Sequence, residues 1–306
     1  MITCPVKSDN PMNRRAFLAA SALALPPLRA AAYKPIFAGQ AYVFQQHYAR
    51  TKEPLDKHFD EIFQSFRIAG YSRLELTNAF FAPEFTERTA GLLKRHKLKL
   101  AIVYNGGPMH TAGGADKTIA DTLALARRVR KATGTLEWVN INPNPLPKGA
   151  AKSDEELKIQ AAALNRLATE LKREKLGLMV HQHAPELANN AREWRHIMAN
   201  TDPKLVYACL DIHWFYRGGQ DVMTHLKEWA PRTASLHLRN SKDGVWIEEF
   251  APGDIDYTQV AAHLKEVGYT GYLVIELASE AKTEQTSSLE SNIRRSLNYA
   301  ESIFKK

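Results

Sequence analysis

Gly177 to His183 reads GLMVHQH, and three later stretches repeat its form: Tyr207 to His213 (YACLDIH), Ala234 to Asn240 (ASLHLRN) and Gly271 to Leu277 (GYLVIEL). Each is an apolar run with one residue that can bind a metal near its C-terminal end: His181, Asp211, His237 and Glu276. Apolar runs separated by helix-length segments imply parallel strands buried on both faces. In a closed parallel barrel the C-terminal ends of all strands share one face. Imidazole and carboxylate side chains delivered together to that face would suit one divalent cation.

Outward from these runs the same alternation continues. Strands are expected at Phe37 to Phe44, Arg73 to Leu76, Lys99 to Tyr104, Glu137 to Ile141, Leu178 to His181, Ala208 to Asp211, Ala234 to Leu238 and Tyr272 to Leu277. Their starts lie roughly 25 to 40 residues apart, room for a loop, a helix and a turn each time. Pro54 to Ala69 carries Leu55, Phe59, Ile62, Phe63 and Phe66 at helical period. Ser153 to Glu156 has the form of a capping box, and Gly70, Gly134, Gly177 and Gly268 stand where helices return to strands. Eight such units predict an α/β fold, a single (β/α)8 TIM barrel. A doubly wound open sheet is disfavoured because no glycine-rich phosphate loop follows the first strand.

The chain has 306 residues, and the barrel is expected to occupy 33–306. Residues 1–32 read as a twin-arginine signal peptide: Arg14-Arg15 precedes a short apolar stretch, Ala16 to Leu25, and small residues follow around Ala30 to Ala32. That predicts the Tat export machinery as a partner and a periplasmic location. The apolar stretch is shorter than the about 20 residues a bilayer span needs. Of the formal charge of +8, the leader holds Lys7, Arg14, Arg15 and Arg29 against Asp9. The remainder is interspersed with acids, so the charge pattern gives no support for nucleic-acid binding. The two cysteines are Cys4, in the leader, and Cys209, inside an apolar run, so no disulfide is expected within the barrel. A homo-oligomer is left open.

Around the four candidate ligands stand further residues. A carboxylate in a run as apolar as that of Asp211 is costly to bury unless it is paired or metal-bound. His183 alternates with His181 across Gln182, so both rings point one way if the strand persists. His183 is then a candidate acid/base and Glu276 the other catalytic candidate. His213 sits two residues beyond Asp211 and would line the same mouth. Glu75, in the second strand, fits substrate binding or a buried salt bridge. Asn105, Asn140 and Asn142 end strands three and four and fit either hydroxyl contacts or turn roles. Trp214, Phe80 and Phe81 fit an apolar wall for a sugar ring or plain packing.

In these motifs the chain resembles the xylose-isomerase-like barrel superfamily, in its sugar phosphate isomerase/epimerase branch. His181-Gln182-His183 is similar to that branch's His-Asn-His signature, with Glu186 trailing it among the substrate-contact candidates. Asp211-Ile212-His213, His237-Leu238-Arg239-Asn240, Pro252-Gly253-Asp254-Ile255-Asp256, Gly268-Tyr269-Thr270-Gly271-Tyr272 and Glu276 follow in order. The resemblance implies a single divalent metal, manganese first, with zinc, cobalt or magnesium as alternatives. It carries ligand roles over to Asp211, His237 and Glu276, with Glu276 also exchanging a substrate proton, while His181 stands as the fourth ligand candidate on its own run. The chain departs from the pattern where His181 replaces a glutamate of the epimerases, where Asn240 replaces a common Asp, and where Pro252 precedes the glycine.

The expected activity is therefore isomerisation or epimerisation of a sugar or keto-sugar by α-proton abstraction through an enediolate. The alternative at the same metal site is a keto-glycoside lyase or dehydratase. A three-zinc phosphodiesterase of the AP-endonuclease type is disfavoured, because Glu75 and His110 are too few for its extra ligands. A non-catalytic periplasmic sugar-binding protein is disfavoured by four intact ligand candidates.

Overall fold

The computed structural model describes residues 33–305. The expected leader lies outside the described residues. Eight parallel strands close into a barrel: β1 (Ile36–Gln40), β2 (Arg73–Thr77), β3 (Lys99–Gly107), β4 (Trp138–Pro143), β5 (Gly177–His181), β6 (Val206–Asp211), β7 (Thr233–Leu238) and β10 (Tyr272–Ile275). Each strand pairs with its chain neighbour in the barrel and β10 closes on β1, so this is the (β/α)8 barrel that the alternation predicts. A two-residue hairpin, β8 (Ser241–Lys242) and β9 (Val245–Trp246), follows β7. Among the described residues no helix is long and apolar enough to cross a membrane.

Two apolar clusters hold this shell together. The larger fills the layer between strands and helices, where Phe59, Phe63 and Phe66 of α2 (Phe59–Ile68) pack against the barrel wall. The smaller lies inside the barrel and includes Ala38, Met179, Cys209, Tyr272 and Val274. Cys209 is the free, buried thiol its apolar setting implies. Above this small inner core, the C-terminal mouth is left to polar side chains.

Local signals in the sequence set several boundaries. Ser153 caps α5 (Asp154–Arg173): its hydroxyl accepts from Glu156 N–H, and the Glu156 carboxylate accepts from Ser153 N–H at 2.7 Å. Gly70, Gly134 and Gly268 all take positive φ at helix-to-strand returns. Gly177 does not. It opens β5, and a Cβ there would meet the Trp138 ring at 2.3 Å, so close packing rather than a left-handed cap requires glycine. The turn before it is made instead by Lys175, at φ 57°. β1 ends at Gln40, four residues short of the expected Phe44, because α1 (Tyr42–Thr51) starts immediately after it. β5 ends at His181, and His183 becomes the N-cap of α6 (Ala184–Asn200).

Replacing Ser153 with Ala should lower unfolding free energy by about 1 kcal/mol, because one helix donor loses its acceptor. Urea titration of the two proteins measures this. A change below a few tenths would show that the box contributes nothing to the barrel.

Candidate metal centre

Register delivers the four sequence-picked donors to one place. Asp211 sits opposite His237 between β6 and β7, and His181 opposite Cys209 between β5 and β6. Glu276 follows the last residue of β10, with its N–H donating to Leu238 O at 3.1 Å. One donor atom from each of His181, Asp211, His237 and Glu276 lies within 4.8 Å of every other. All four side chains are buried.

The protonation chemistry of this cluster follows from its neighbours. The His237 ring lies between two carboxylates, with Nδ1 at 2.8 Å from Glu276 Oε2 and Nε2 at 2.9 Å from Glu75 Oε2. Burial disfavours its cation, but the surrounding Cys209, Glu75 and Glu276 outweigh burial and raise it well above the ordinary histidine range. Burial would also raise the Glu276 carboxyl, yet His237 and Arg239 overcome that and bring it to about 2. Asp211 is held well below the usual carboxylate range against burial by Arg239 and His181. The Arg239 Nη2 donates to Asp211 Oδ2 at 2.6 Å, and its Nη1 lies 3.7 Å from Glu276 Oε2.

His181 behaves differently. Its Nε2 stands 3.5 Å from Asp211 Oδ2, at the outer limit of a hydrogen bond, and neither ring nitrogen has a hydrogen-bond partner. An imidazole 1 % exposed with both nitrogens unsatisfied is costly. A cation taking the Nε2 lone pair beside the Asp211 carboxylate would relieve part of that cost, so the residues fit a divalent ion. His237 fits the same role through Nδ1, with Glu75 accepting from Nε2–H and fixing the tautomer. Glu75 is in turn held by Asn140, whose Nδ2 donates to Glu75 Oε1 at 3.0 Å.

Of the four, Glu276 lines a cavity of about 330 Å³, together with Gln40, Tyr104, His183, Trp214, Arg239 and Trp246. His183, past the end of β5, still brings its ring to 4.6 Å from that of His181. Burial and neighbouring His181 push His183 down to about 3, so its imidazole is neutral at neutral pH. Trp214 and Trp246 flank Arg239, whose guanidinium carbon lies 5.0 and 4.6 Å from their ring centroids.

The remaining sequence candidates take other stations. Glu75 lies behind His237, fully buried and outside the cavity lining. His213 holds the hairpin: its Nδ1 accepts from Trp246 Nε1 at 3.1 Å, and its Nε2 pairs with Ser241 Oγ at 2.9 Å. Glu186 accepts from His183 N–H at 2.9 Å and from Asn142 Nδ2 at 3.1 Å. Asn105 bridges Asn78 and Thr122. Phe80 and Phe81 are buried in the outer core layer rather than set against the ligand cluster. Gln40, Tyr104 and Trp246 carry no motif of their own in the sequence, although each follows or ends an apolar run.

A closed barrel whose strand ends gather a buried His–Asp–His–Glu set defines a TIM-barrel protein with a site able to hold a metal. Residues 63–303 match the xylose isomerase-like TIM barrel family, and the chain belongs to it. In sequence it is similar to the inosose dehydratase of Clostridium perfringens, 28% identical over 40% of this chain and 48% of that protein. The chain thus spans about half the length of the curated relatives it matches most strongly. In structure it is similar to L-ribulose 3-epimerase, with TM-score 0.70, 14% identity, and coverage of 89% of this chain and 95% of that one. A sugar phosphate isomerase/epimerase from Parabacteroides distasonis gives TM-score 0.66 at 17% identity, covering 87% and 97%. At such identities these two structures share the fold.

Burial, reinforced by Glu193, pushes the Glu186 carboxyl up to about 7. A carboxyl whose folded pKa is raised favours folding while protonated, so its contribution is full below about pH 4.3 and is lost as pH rises through 7. Glu186→Gln keeps the acceptor for His183 N–H without the charge. It should match the parent near pH 4.5 and exceed it in stability at pH 8 by roughly 3 kcal/mol. Thermal melts across that range check this, and a pH-independent difference would contradict it.

Proposed function

We propose that this chain is a divalent-metal-dependent enzyme acting on a sugar or keto-sugar by removing a proton next to a carbonyl, as an isomerase or epimerase. The observation that carries the proposal is the unsatisfied His181 imidazole facing Asp211 within a four-donor cluster at the barrel mouth. His181, Asp211, His237 and Glu276 would hold the ion, with manganese the first choice and zinc, cobalt or magnesium the alternatives. When bound, the cation supplies a Lewis acid that stabilises negative charge developing on a carbonyl oxygen.

The chain's own groups supply the rest. Two candidate bases meet in the cavity, the ionised Glu276 carboxylate and the neutral His183 imidazole. One takes the α-proton, and the electron pair it leaves delocalises into the carbonyl as an enediolate. Return of a proton to the other face of that carbon epimerises the sugar, and return to the neighbouring carbon isomerises it. The Trp214 and Trp246 rings offer apolar faces to the sugar, while Arg239 and Gln40 offer donors to its hydroxyls. The Trp246 face is fixed by the His213 hydrogen bond.

A second reading has a specific observation in its favour: the sequence relatives are dehydratases. There the same α-proton is removed, but the β C–O bond then breaks and the departing oxygen takes up a proton. A keto-glycoside would leave its substituent as an alcohol by this route. The leader residues 1–32 we take as a twin-arginine export signal, which places the enzyme in the periplasm and favours unphosphorylated substrates.

Two outcomes test the proposal. Proton NMR of free ketoses and 3-keto-glycosides in heavy water should show deuterium uptake beside the carbonyl that disappears with chelator and with Glu276→Gln, while the variant's circular dichroism stays unchanged. Uptake that is indifferent to chelator would remove the metal from the reaction. Glu75→Ala should weaken cation affinity by about 10- to 100-fold, because His237 loses the acceptor that fixes its tautomer. Unchanged affinity, read by competition with a fluorescent chelator, would show that Glu75 does not orient the ligand.

A further inference from the structure

The 330 Å³ cavity over the cluster does not end at the barrel rim. A second cavity of about 660 Å³ lies beside it, between the short helical turn Asn78–Phe81 and α4 (Ala112–Thr133). Asn78 and Gly106 line both. Gly106 puts no side chain into the partition, and a Cβ there would already meet Asn142 O and Asn144 Oδ1 at 3.3 Å. Asn78 is tied down, its Nδ2 donating to Asn105 Oδ1 at 2.9 Å while Asn105 Nδ2 donates to Thr122 Oγ1 at 2.8 Å. The two spaces therefore share Asn78 and Gly106 as a common border.

Their linings differ in chemistry. The inner cavity is ringed by donors, acceptors and indoles, as a sugar ring requires. The outer groove is lined by Ala82 and Pro108 over the buried Phe81 and Leu125. Two cations stand at its edge. Lys117 pairs with Asp121 at 2.6 Å, and Arg128 donates to Phe81 O at 2.7 Å. Beside them the groove's apolar lining suits a group with an apolar face.

Resting on the sugar-directed function above, we infer that the substrate is a glycoside: its sugar ring occupies the inner cavity and its O-linked substituent lies in the Phe81–Leu125 groove. A free monosaccharide would leave that apolar groove to water, whereas a substituent gains from burying a face there. The groove thus selects two-part substrates and positions the sugar by its tail. The same placement aligns the glycosidic oxygen along the line joining the two cavities, beside the partition at Gly106.

The test uses the full chain loaded with Mn2+ and pairs of probes: D-glucose, D-galactose and D-mannose, each beside its phenyl β-glycoside. Saturation-transfer NMR and titration give the affinity of each. At least one phenyl glycoside should bind about tenfold or more tighter than its free sugar, with strong saturation of the aryl protons. Ala82→Trp, or Ala79→Trp at an exposed position should the first fail to fold, fills the groove. Either should bring that ratio close to one and leave free-sugar affinity and bound Mn2+ unchanged. Equal affinity across all pairs, a ratio that survives the filled groove, or no binding by any probe overturns the inference. Bound metal is counted separately, so a glycoside preference seen without stoichiometric metal supports the groove while sinking the metal-dependent mechanism.

Discussion

Everything at the mouth of this barrel depends on the cost of burying carboxylates. Glu75, Asp211 and Glu276 stand within one small volume, two of them with no exposure at all. Ionised acids in such a setting persist only beside compensating positive charge. Arg239 provides some, bridging Asp211 toward Glu276, and the His237 ring provides more by sitting between Glu75 and Glu276. A divalent cation would complete the compensation and free His237 Nδ1 to act as a ligand, while Glu75 continues to hold Nε2–H. The unsatisfied nitrogens of His181 are the donors at this mouth that the protein's own hydrogen-bond network does not use.

Geometry makes this concentration of charge workable. Parallel strands present alternate side chains inward, and adjacent strands in register bring Asp211 opposite His237. Beneath the polar layer, the inner apolar cluster anchors the strand ends so that the ligand set is held by backbone rather than by loops. What closes over the site is built differently. The β8–β9 hairpin is short, and Trp246 reaches the cavity because His213 fixes its indole N–H and Ser241 fixes His213. Ser241 in turn donates to Asp254 at 2.6 Å, linking the hairpin to the turn before α9 (Tyr257–Glu266).

The fold and the ligands were legible in sequence because both repeat. Four apolar runs ending in His181, Asp211, His237 and Glu276 carry the strand period and the site at once, and the Ser153 box is a local code with local hydrogen bonds. The harder parts depend on contacts between distant residues. Glu75 lies 162 positions from its partner His237, so the sequence left salt bridge and substrate contact as equals. His213 faces Trp246 rather than the cavity because a hairpin folds back over it, and Asp243-Gly244, at φ 52° and 76°, is the one local mark of that turn. Gly177 carries the same letter as the capping glycines, but the Trp138 ring that requires it comes from the neighbouring strand. The groove beside Gly106 had no signature, since its lining comes from three separate segments.

The central claim is that these four residues form a metal site. Crystals of the protein grown with Mn2+ and measured for anomalous scattering test it most directly. The account predicts one strong peak, about 2.0 to 2.3 Å from a nitrogen of His181, a nitrogen of His237 and carboxylate oxygens of Asp211 and Glu276. No peak at the barrel mouth, or one held by other residues while Arg239 keeps both carboxylates, would contradict it.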